Sequence, residues 1–438
     1  TSNTIDSFEH IVSRNIIDIL VWRYPEAIIS HRSAKEMRPT AEGNFYLTTT
    51  YSKKVTDLPG ITINLLKGPA ADEGDLPYNG IYIASEYRWL LENMQIARKD
   101  SENSKSLPIA DIENKLEKIL LIGGEEKLNE YRDKLREVSE RLNMPKEYER
   151  ICKIISALLS THSSDILTTP SAKALSVGLP FDQTRGELFE ALFHAIKDEY
   201  FVERVNRNKD EESFRLFSFF ESYFSNYIEG TEFEIDEAKQ IVDSGIPIPR
   251  RDEDSHDILG TFKVLSNRAE MNRTPSSIDE LYSILQSRHS ILLGGRPHLE
   301  PGIFKTRNNR AGNTEFVDYR LVKGTLNYGY KFYSALKDPF ARAIFMMFMI
   351  SEVHPFNDGN GRISRIMMNA ELVKAEQTRI IVPTVFREDY ILALRKLTRQ
   401  KDPSAYVNVM VKLQKFSDNL YGTDFTELKE YLRACNAY

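Results

Sequence analysis

The 438-residue chain holds only two cysteines, Cys152 and Cys435. That is too few for a disulfide framework or a four-cysteine zinc site. Positive charge is not in excess either: 58 Lys and Arg stand against 64 Asp and Glu, a net charge of −6. The broad basic footprint of a dedicated nucleic-acid binder is therefore missing, although a local patch stays compatible with the balance. Long apolar runs are also absent. The most apolar stretch, residues 343–350, falls far short of the roughly 20 residues that span a bilayer. The opening Thr1-Ser2-Asn3-Thr4-Ile5-Asp6 shows no basic segment leading into an apolar one, so no membrane role and a cytoplasmic location are expected. There is no internal repeat, no low-complexity tract and no Gly-x-x-x-x-Gly-Lys-Ser/Thr sequence, which excludes a P-loop enzyme. What is there is ordinary: 41% hydrophobic and 28% charged residues predict a soluble, globular chain. Its length predicts about two to four domains.

Three segments are expected. Residues 1–108 read as a small α/β domain, with helical spacing over 5–22 and again over 86–97. Short β-branched and aromatic runs lie at 44–50, 61–66 and 80–84, bounded by Gly or Pro. A polar stretch at 99–108 reads as a linker. Residues 109–179 read as a helical connector, with amphipathic repeats at 115–121, 127–142 and 148–159. A Ser/Thr/Pro-rich break at 161–171 follows. Residues 180–438 read as mostly helical, with one β-hairpin over 304–321 around Asn308-Asn309-Arg310-Ala311-Gly312-Asn313.

One segment concentrates the chemistry: His354-Pro355-Phe356-Asn357-Asp358-Gly359-Asn360-Gly361-Arg362-Ile363-Ser364-Arg365. Asp338-Pro339 predicts a helix start, with Asp as cap and Pro in the first turn. The apolar residues after it predict a buried helix. His354 precedes a proline, which ends that helix. Gly359-Asn360-Gly361 predicts a turn whose backbone N–H groups converge on one point. A second helix, over 362–375, carries Arg362 and Arg365 on one face. The result is an anion site at a helix start, flanked by an imidazole base and by a carboxylate suited to Mg²⁺. Those parts serve phosphoryl or nucleotidyl transfer.

The segment resembles the His-Pro-Phe-x-Asp/Glu-Gly-Asn-Gly-Arg-x-x-Arg signature of the Fic domain family and matches all nine fixed positions. The resemblance implies a mainly α, Fic-type helical core with a β-hairpin flap. It also implies transfer of AMP from ATP, with Mg²⁺, to a Ser, Thr or Tyr hydroxyl of a protein. His354 would be the base, Asp358 the metal ligand, and Gly359, Asn360 and Gly361 the anion hole. Arg362 and Arg365 would take the β- and γ-phosphates. The hairpin, taken as 303–322, resembles the family's target-docking flap, with Phe304, Lys305 and Thr306 at its start. It opens Gly302-Ile303-Phe304-Lys305 where the family often has Gly-x-x-Arg. Phe356 is expected to anchor the loop in the core.

A second pattern, Ser225-Asn226-Tyr227-Ile228-Glu229-Gly230, closes a helical stretch at 211–229. It resembles the family's inhibitory motif, with Ser225, Glu229 and Gly230 at its fixed positions. Glu229 would then pair with Arg365 and misalign bound ATP. The same glutamate leaves the reverse reaction open, hydrolytic removal of AMP, as does transfer of another phosphate-containing group. From a different class, a nucleotide-sensing regulator that binds DNA or protein is the rival. Residues 24–34 are loosely similar to AbiEi-type antitoxin and regulator domains, which leaves nucleic acid open for the N-terminal domain, with protein binding favoured by the acidic balance. Self-modification and a homodimer stay open. His31 reads as structural, His289 and His298 as a poor metal pair. Phe214, Phe217, Phe219, Phe220, Tyr223 and Phe224 read as the buried face of the inhibitory helix. Tyr390 and Leu394 fit an adenine pocket or plain core packing.

Overall fold

The computed structural model describes residues 8–95, 104–160, 164–249, 251–312 and 314–438. The start of the helix expected from residue 5, residues 99–103 of the expected linker, residues 161–163 of the expected break and Asn313 lie outside them. Two compact units result, Thr1–Gly178 and Leu179–Tyr438.

In the first unit, β1 (Ile28–Ile29), β2 (Asn44–Thr49), β3 (Lys53–Leu58), β4 (Ile61–Lys67), β5 (Leu76–Tyr78) and β6 (Ile81–Ile83) form one mixed sheet. Its order is β3-β4-β2-β1-β6-β5. In β4, Ile61, Ile63 and Leu65 alternate inward and join a core with Ile16 and Leu20, the pattern of a sheet with one face on the core. Strands β2, β4 and β6 lie on the apolar runs of the sequence. The other three are not legible there: β3 buries only Val55 among exposed or partly exposed neighbours, and β5 is wholly exposed and carries Pro77. Edge strands tolerate both.

The helices of this unit are α1 (Phe8–Arg14), α2 (Ile16–Arg23), α3 (His31–Glu36), α4 (Glu86–Asn93), α5 (Ile109–Arg141), α6 (Pro145–Leu158) and α7 (Pro170–Ser176). The single helix expected over 5–22 breaks at Asn15 (φ −106°, ψ 19°). The two expected at 115–121 and 127–142 meet in α5 at Gly124, whose φ of 74° suits glycine. The connector expected at 109–179 does not stand apart. Leu116 and Leu135 of α5 and Ile151 and Ile155 of α6 share a core with Leu90 and Leu91 of α4, because an amphipathic stripe must be covered by something. Fully buried Arg88 ties this unit together by donating to Asp75 (2.7 Å) and Glu92 (2.9 Å). His31 is buried beside Ser30 and Gln95, and its backbone N–H donates to Glu92 (2.8 Å), so it serves structure.

The second unit contains α8 (Gln183–Ile196), α9 (Glu211–Ile228), α10 (Ile235–Ser244), α11 (Asp252–Leu265), α12 (Arg268–Met271) and α13 (Ile278–Leu292). A two-strand hairpin follows, β7 (Arg310–Ala311) with β8 (Thr314–Glu315). Then come α14 (Val322–Ala335), α15 (Pro339–Val353), α16 (Asn360–Lys374), α17 (Arg387–Gln400), α18 (Ser404–Ser417) and α19 (Phe425–Ala434). Every residue of 343–350 is buried in α15, so the most apolar stretch is the central helix. Among the described residues, no helix is long and apolar enough to cross a membrane. Asp338 caps α15 by accepting from the Ala341 N–H (2.9 Å). Asp338→Ala is expected to cost about 1 kcal/mol, read as a lower urea midpoint at unchanged slope.

Helix α9 is enclosed rather than half-buried. Phe214 and Ile228 enter one core with α15 and α16, while Phe217, Phe219, Phe220, Tyr223 and Phe224 enter another with α10 and α19. Buried Arg379 stacks on Phe214 and Phe217 and donates to Glu221 of α9 (3.0 Å).

Candidate active site

The site is built where α15 ends and α16 begins. His354 closes α15 in left-handed backbone (φ 51°, ψ 60°), its N–H donating to the Ile350 carbonyl, and Pro355 carries the chain away. The imidazole Nδ1 lies 2.9 Å from the Ser351 carbonyl. A carbonyl only accepts, so the proton sits on Nδ1 and Nε2 keeps its lone pair. Burial pushes the imidazole down to about 4 despite that hydrogen bond. Near neutral pH it is therefore an uncharged base. The Phe316 ring, just beyond β8, lies flat on it, with centroids 3.4 Å apart and planes 3° apart.

The loop between the helices is pinned from inside. The Asn360 side chain accepts from the Phe356 N–H and donates to its carbonyl, both at 2.9 Å. Phe356 is fully buried and stacks on His289 at 3.7 Å. His289 Nδ1 accepts from the Gly302 N–H (2.9 Å), so its Nε2–H donates to the Asp358 carbonyl (3.0 Å). The sequence offered His289 only as a weak metal ligand; it is a pin joining the hairpin's base to the loop. His298 is exposed and takes no part.

Burial pushes His289 down from 6.5 to about 4. Between those values the unfolded chain binds the proton and the folded one does not, so stability falls as pH drops through this window and is unaffected above it. The melting temperature is expected to be level above pH about 6.5 and to fall below it. His289→Gln should flatten part of that fall in a pH series of melts.

Gly359 (φ 71°) caps α16, and its N–H donates to Asp358 Oδ1 (2.7 Å). The first-turn N–H groups of α16 have no partner within the helix, which makes this end an anion site. The Asp358 side chain is half exposed and lies 3.9 Å from Arg362 Nη2. Arg362 and Arg365 are both buried. Arg365 Nε donates to Ser225 Oγ (3.0 Å), and its Nη2 donates to the Ser225 carbonyl (2.9 Å) and to Glu229 Oε1 (2.7 Å). Glu229 follows α9 directly as its C-cap, and Gly230 turns the chain away with φ 95°. A Cβ built on Gly361 would stand 2.1 Å from Glu229 Oε1. The carboxylate therefore lies directly over the first turn of α16, where an anion would bind.

Thus His354, Asp358, Gly359, Asn360, Gly361, Arg362 and Arg365 share one helix start with Ser225, Glu229 and Gly230. The hairpin start, expected as the target-docking segment, packs largely inward on the loop. Phe304 packs on Phe356 and Tyr282, and the buried Lys305 donates its N–H to the Pro355 carbonyl and its ammonium to Asn309 Oδ1. Only Thr306 of the three is exposed, because the hairpin's base must close over the loop. Tyr390 is buried against Arg365 and Met347, and Leu394 is partly buried against the core. Among the described residues no three His, Cys, Asp or Glu cluster as a metal site. A lone carboxylate facing solvent fits Mg²⁺, which takes its other ligands from water and phosphate.

Residues 278–372 match the family model described as Fic/DOC family, which takes in the loop, α16 and His289 but not Glu229. The chain is 25% identical over 182 residues to protein adenylyltransferase fic-1 of Caenorhabditis elegans, covering 39% of this chain and 35% of that protein. It is 26% identical over 185 residues to protein adenylyltransferase Fic of Nematostella vectensis, covering 38% and 40%. The matched part is thus well under half the length of these relatives. A solved structure of Fic-1 (residues 134–508) from C. elegans aligns with TM-score 0.40 and 19% identity over 68% of this chain and 86% of that one. A Fic domain containing signaling protein from Bacteroides thetaiotaomicron aligns with TM-score 0.41 and 16% identity over 54% and 94%.

Proposed function

From the Fic domain that this chain carries at residues 278–372, we propose that the protein is an autoinhibited adenylyltransferase. It transfers AMP from ATP to a Ser, Thr or Tyr hydroxyl of a protein. The observation that carries the reading is the tautomer of His354: a neutral imidazole with Nε2 unprotonated, beside a helix start that bears two arginines. Nε2 takes the proton of the target hydroxyl, and its oxygen forms a bond to the α-phosphorus. The bond from that phosphorus to the bridging oxygen breaks, and pyrophosphate leaves. The N–H groups of Asn360 and Gly361 receive the α-phosphate's charge, Arg362 holds the β-phosphate and Arg365 the γ-phosphate. Asp358 would hold Mg²⁺, which neutralises phosphate charge when bound.

Glu229 is the brake. It fills the partner position on Arg365 that the γ-phosphate needs, so ATP enters but seats with its α-phosphate out of line. The first unit serves as a scaffold for the protein target, and the two unpaired cysteines suit a cytoplasmic setting. Incubation with Mg²⁺, lysate and either α- or γ-labelled ATP tests the reaction class. Label retained only from the α position supports AMP transfer, whereas label from the γ position would replace it with phosphorylation.

A further inference from the structure

The two arginines of α16 meet carboxylates in opposite ways. On Arg365 the side-on edge of the guanidinium, Nε with Nη2, is filled by Ser225 and Glu229. On Arg362 the grip is at the far nitrogen. Its Nη1 lies 2.8 Å from Oδ2 of Asp257, on α11, and 3.4 Å from Oδ1 of Asn226, on α9. Among the described residues Nε of Arg362 has no hydrogen-bond partner, and Nη2 has only the distant Asp358. The edge that makes two parallel bonds to a phosphate is thus without a close partner among the described residues, in a side chain only 4% exposed.

We propose that Asp257 is the positioning residue for Arg362: it holds Nη1 so that the Nε–Nη2 edge is presented to the β-phosphate. This rests on the nucleotide reading above. A buried guanidinium needs a counter-charge, and an unheld one would lose its orientation. Asp257 is itself buried and braced. Its Oδ2 also accepts from Arg296 Nη2 (2.7 Å), in the turn after α13, and Arg296 is offset in turn by Glu253 at 3.3 Å. Oδ1 of Asp257 has no hydrogen-bond partner among the described residues, so the carboxylate is not spent on satisfying its own surroundings. Asn226 adds a link of a different kind, because the last turn of the braking helix touches both arginines.

The test uses the full chain with Glu229→Gly, so that the brake does not enter, and measures binding of AMP and ADP by calorimetry. ADP adds the β-phosphate and lacks the γ-phosphate, which isolates Arg362. Asp257→Asn is expected to weaken ADP about tenfold and leave AMP unchanged, the same pattern as Arg362→Ala in smaller degree. Asp257→Glu keeps the charge but shifts it by a methylene, and should fall between; it carries the comparison if the Asn variant does not fold. Parallel weakening of AMP and ADP would make Asp257 merely structural, and unchanged ADP binding would remove it from the site. If Arg362→Ala itself fails to separate ADP from AMP, the nucleotide reading falls first and the inference with it.

Discussion

Glu229→Gly is expected to raise the yield of protein-bound label from α-labelled ATP by about a hundredfold, the scale on which a misplacement of about 1 Å acts. The substitution removes the 2.7 Å bond to Arg365 Nη2 and empties the space over Gly361. It leaves Ser225 on Nε, so the arginine stays placed while its outer nitrogen becomes available. Burial should not suffer, because Glu229 terminates α9 with its side chain still 35% exposed. Glycine also tolerates a C-cap position. The melting temperature should therefore move little while self-labelling and target labelling both climb. Equal labelling by the two proteins, with nucleotide bound to each at the concentration used, would dispose of the brake.

His354→Ala, placed in the Glu229→Gly background, is expected to label about 10²- to 10⁴-fold more slowly than that parent, the worth of a general base. Nucleotide affinity is expected to hold, since no phosphate contact is assigned to the imidazole. The acid limb of the rate adds a second reading. With His354 pushed down to about 4 by burial, kcat/KM of the released enzyme should stay level from pH 8 to well below 6, because the base is already unprotonated. It should fall only as pH approaches the depressed value. A limb centred near 6.5 would mean that the imidazole is solvated in the working state, and a His354→Ala protein that labels as fast as its parent would remove the base altogether.

Much of this site could be read from residue order alone, because its parts are local. A twelve-residue run supplies base, turn, carboxylate and both arginines, and Asp338-Pro339 marks the helix that delivers them. Glu229 lies over a hundred residues away, yet its Ser-x-x-x-Glu-Gly spacing put it on the page. The rest depends on side chains that only folding brings near. Asp257 sits in an acidic run with Asp252, Glu253 and Asp254, where a charge ordinarily reads as solvated. His289 stood out only as half of a poor metal pair with His298, and Phe316 stacks on His354 from just beyond a strand two residues long. The N-terminal sheet shows the same limit: the interior strand β4 advertises itself by alternation, whereas edge strands β3 and β5 carry no such pattern.

On the proposed reading, the double embedding of α9 sets the kind of motion that would free Arg365. Withdrawing the whole helix would expose Phe214 on one side and five aromatic rings on the other, and would strip Arg379 of its carboxylate. Such an opening belongs among the rare, sub-global excursions of a folded domain. Glu229 and Gly230 themselves are exposed, by contrast, and this end of the chain can swing on a glycine already in left-handed backbone. Activation should therefore behave as a latch lifting at one end rather than a bolt being drawn. On that reading an activator need only hold aside a single side chain, and labelling should subside as soon as that grip is released.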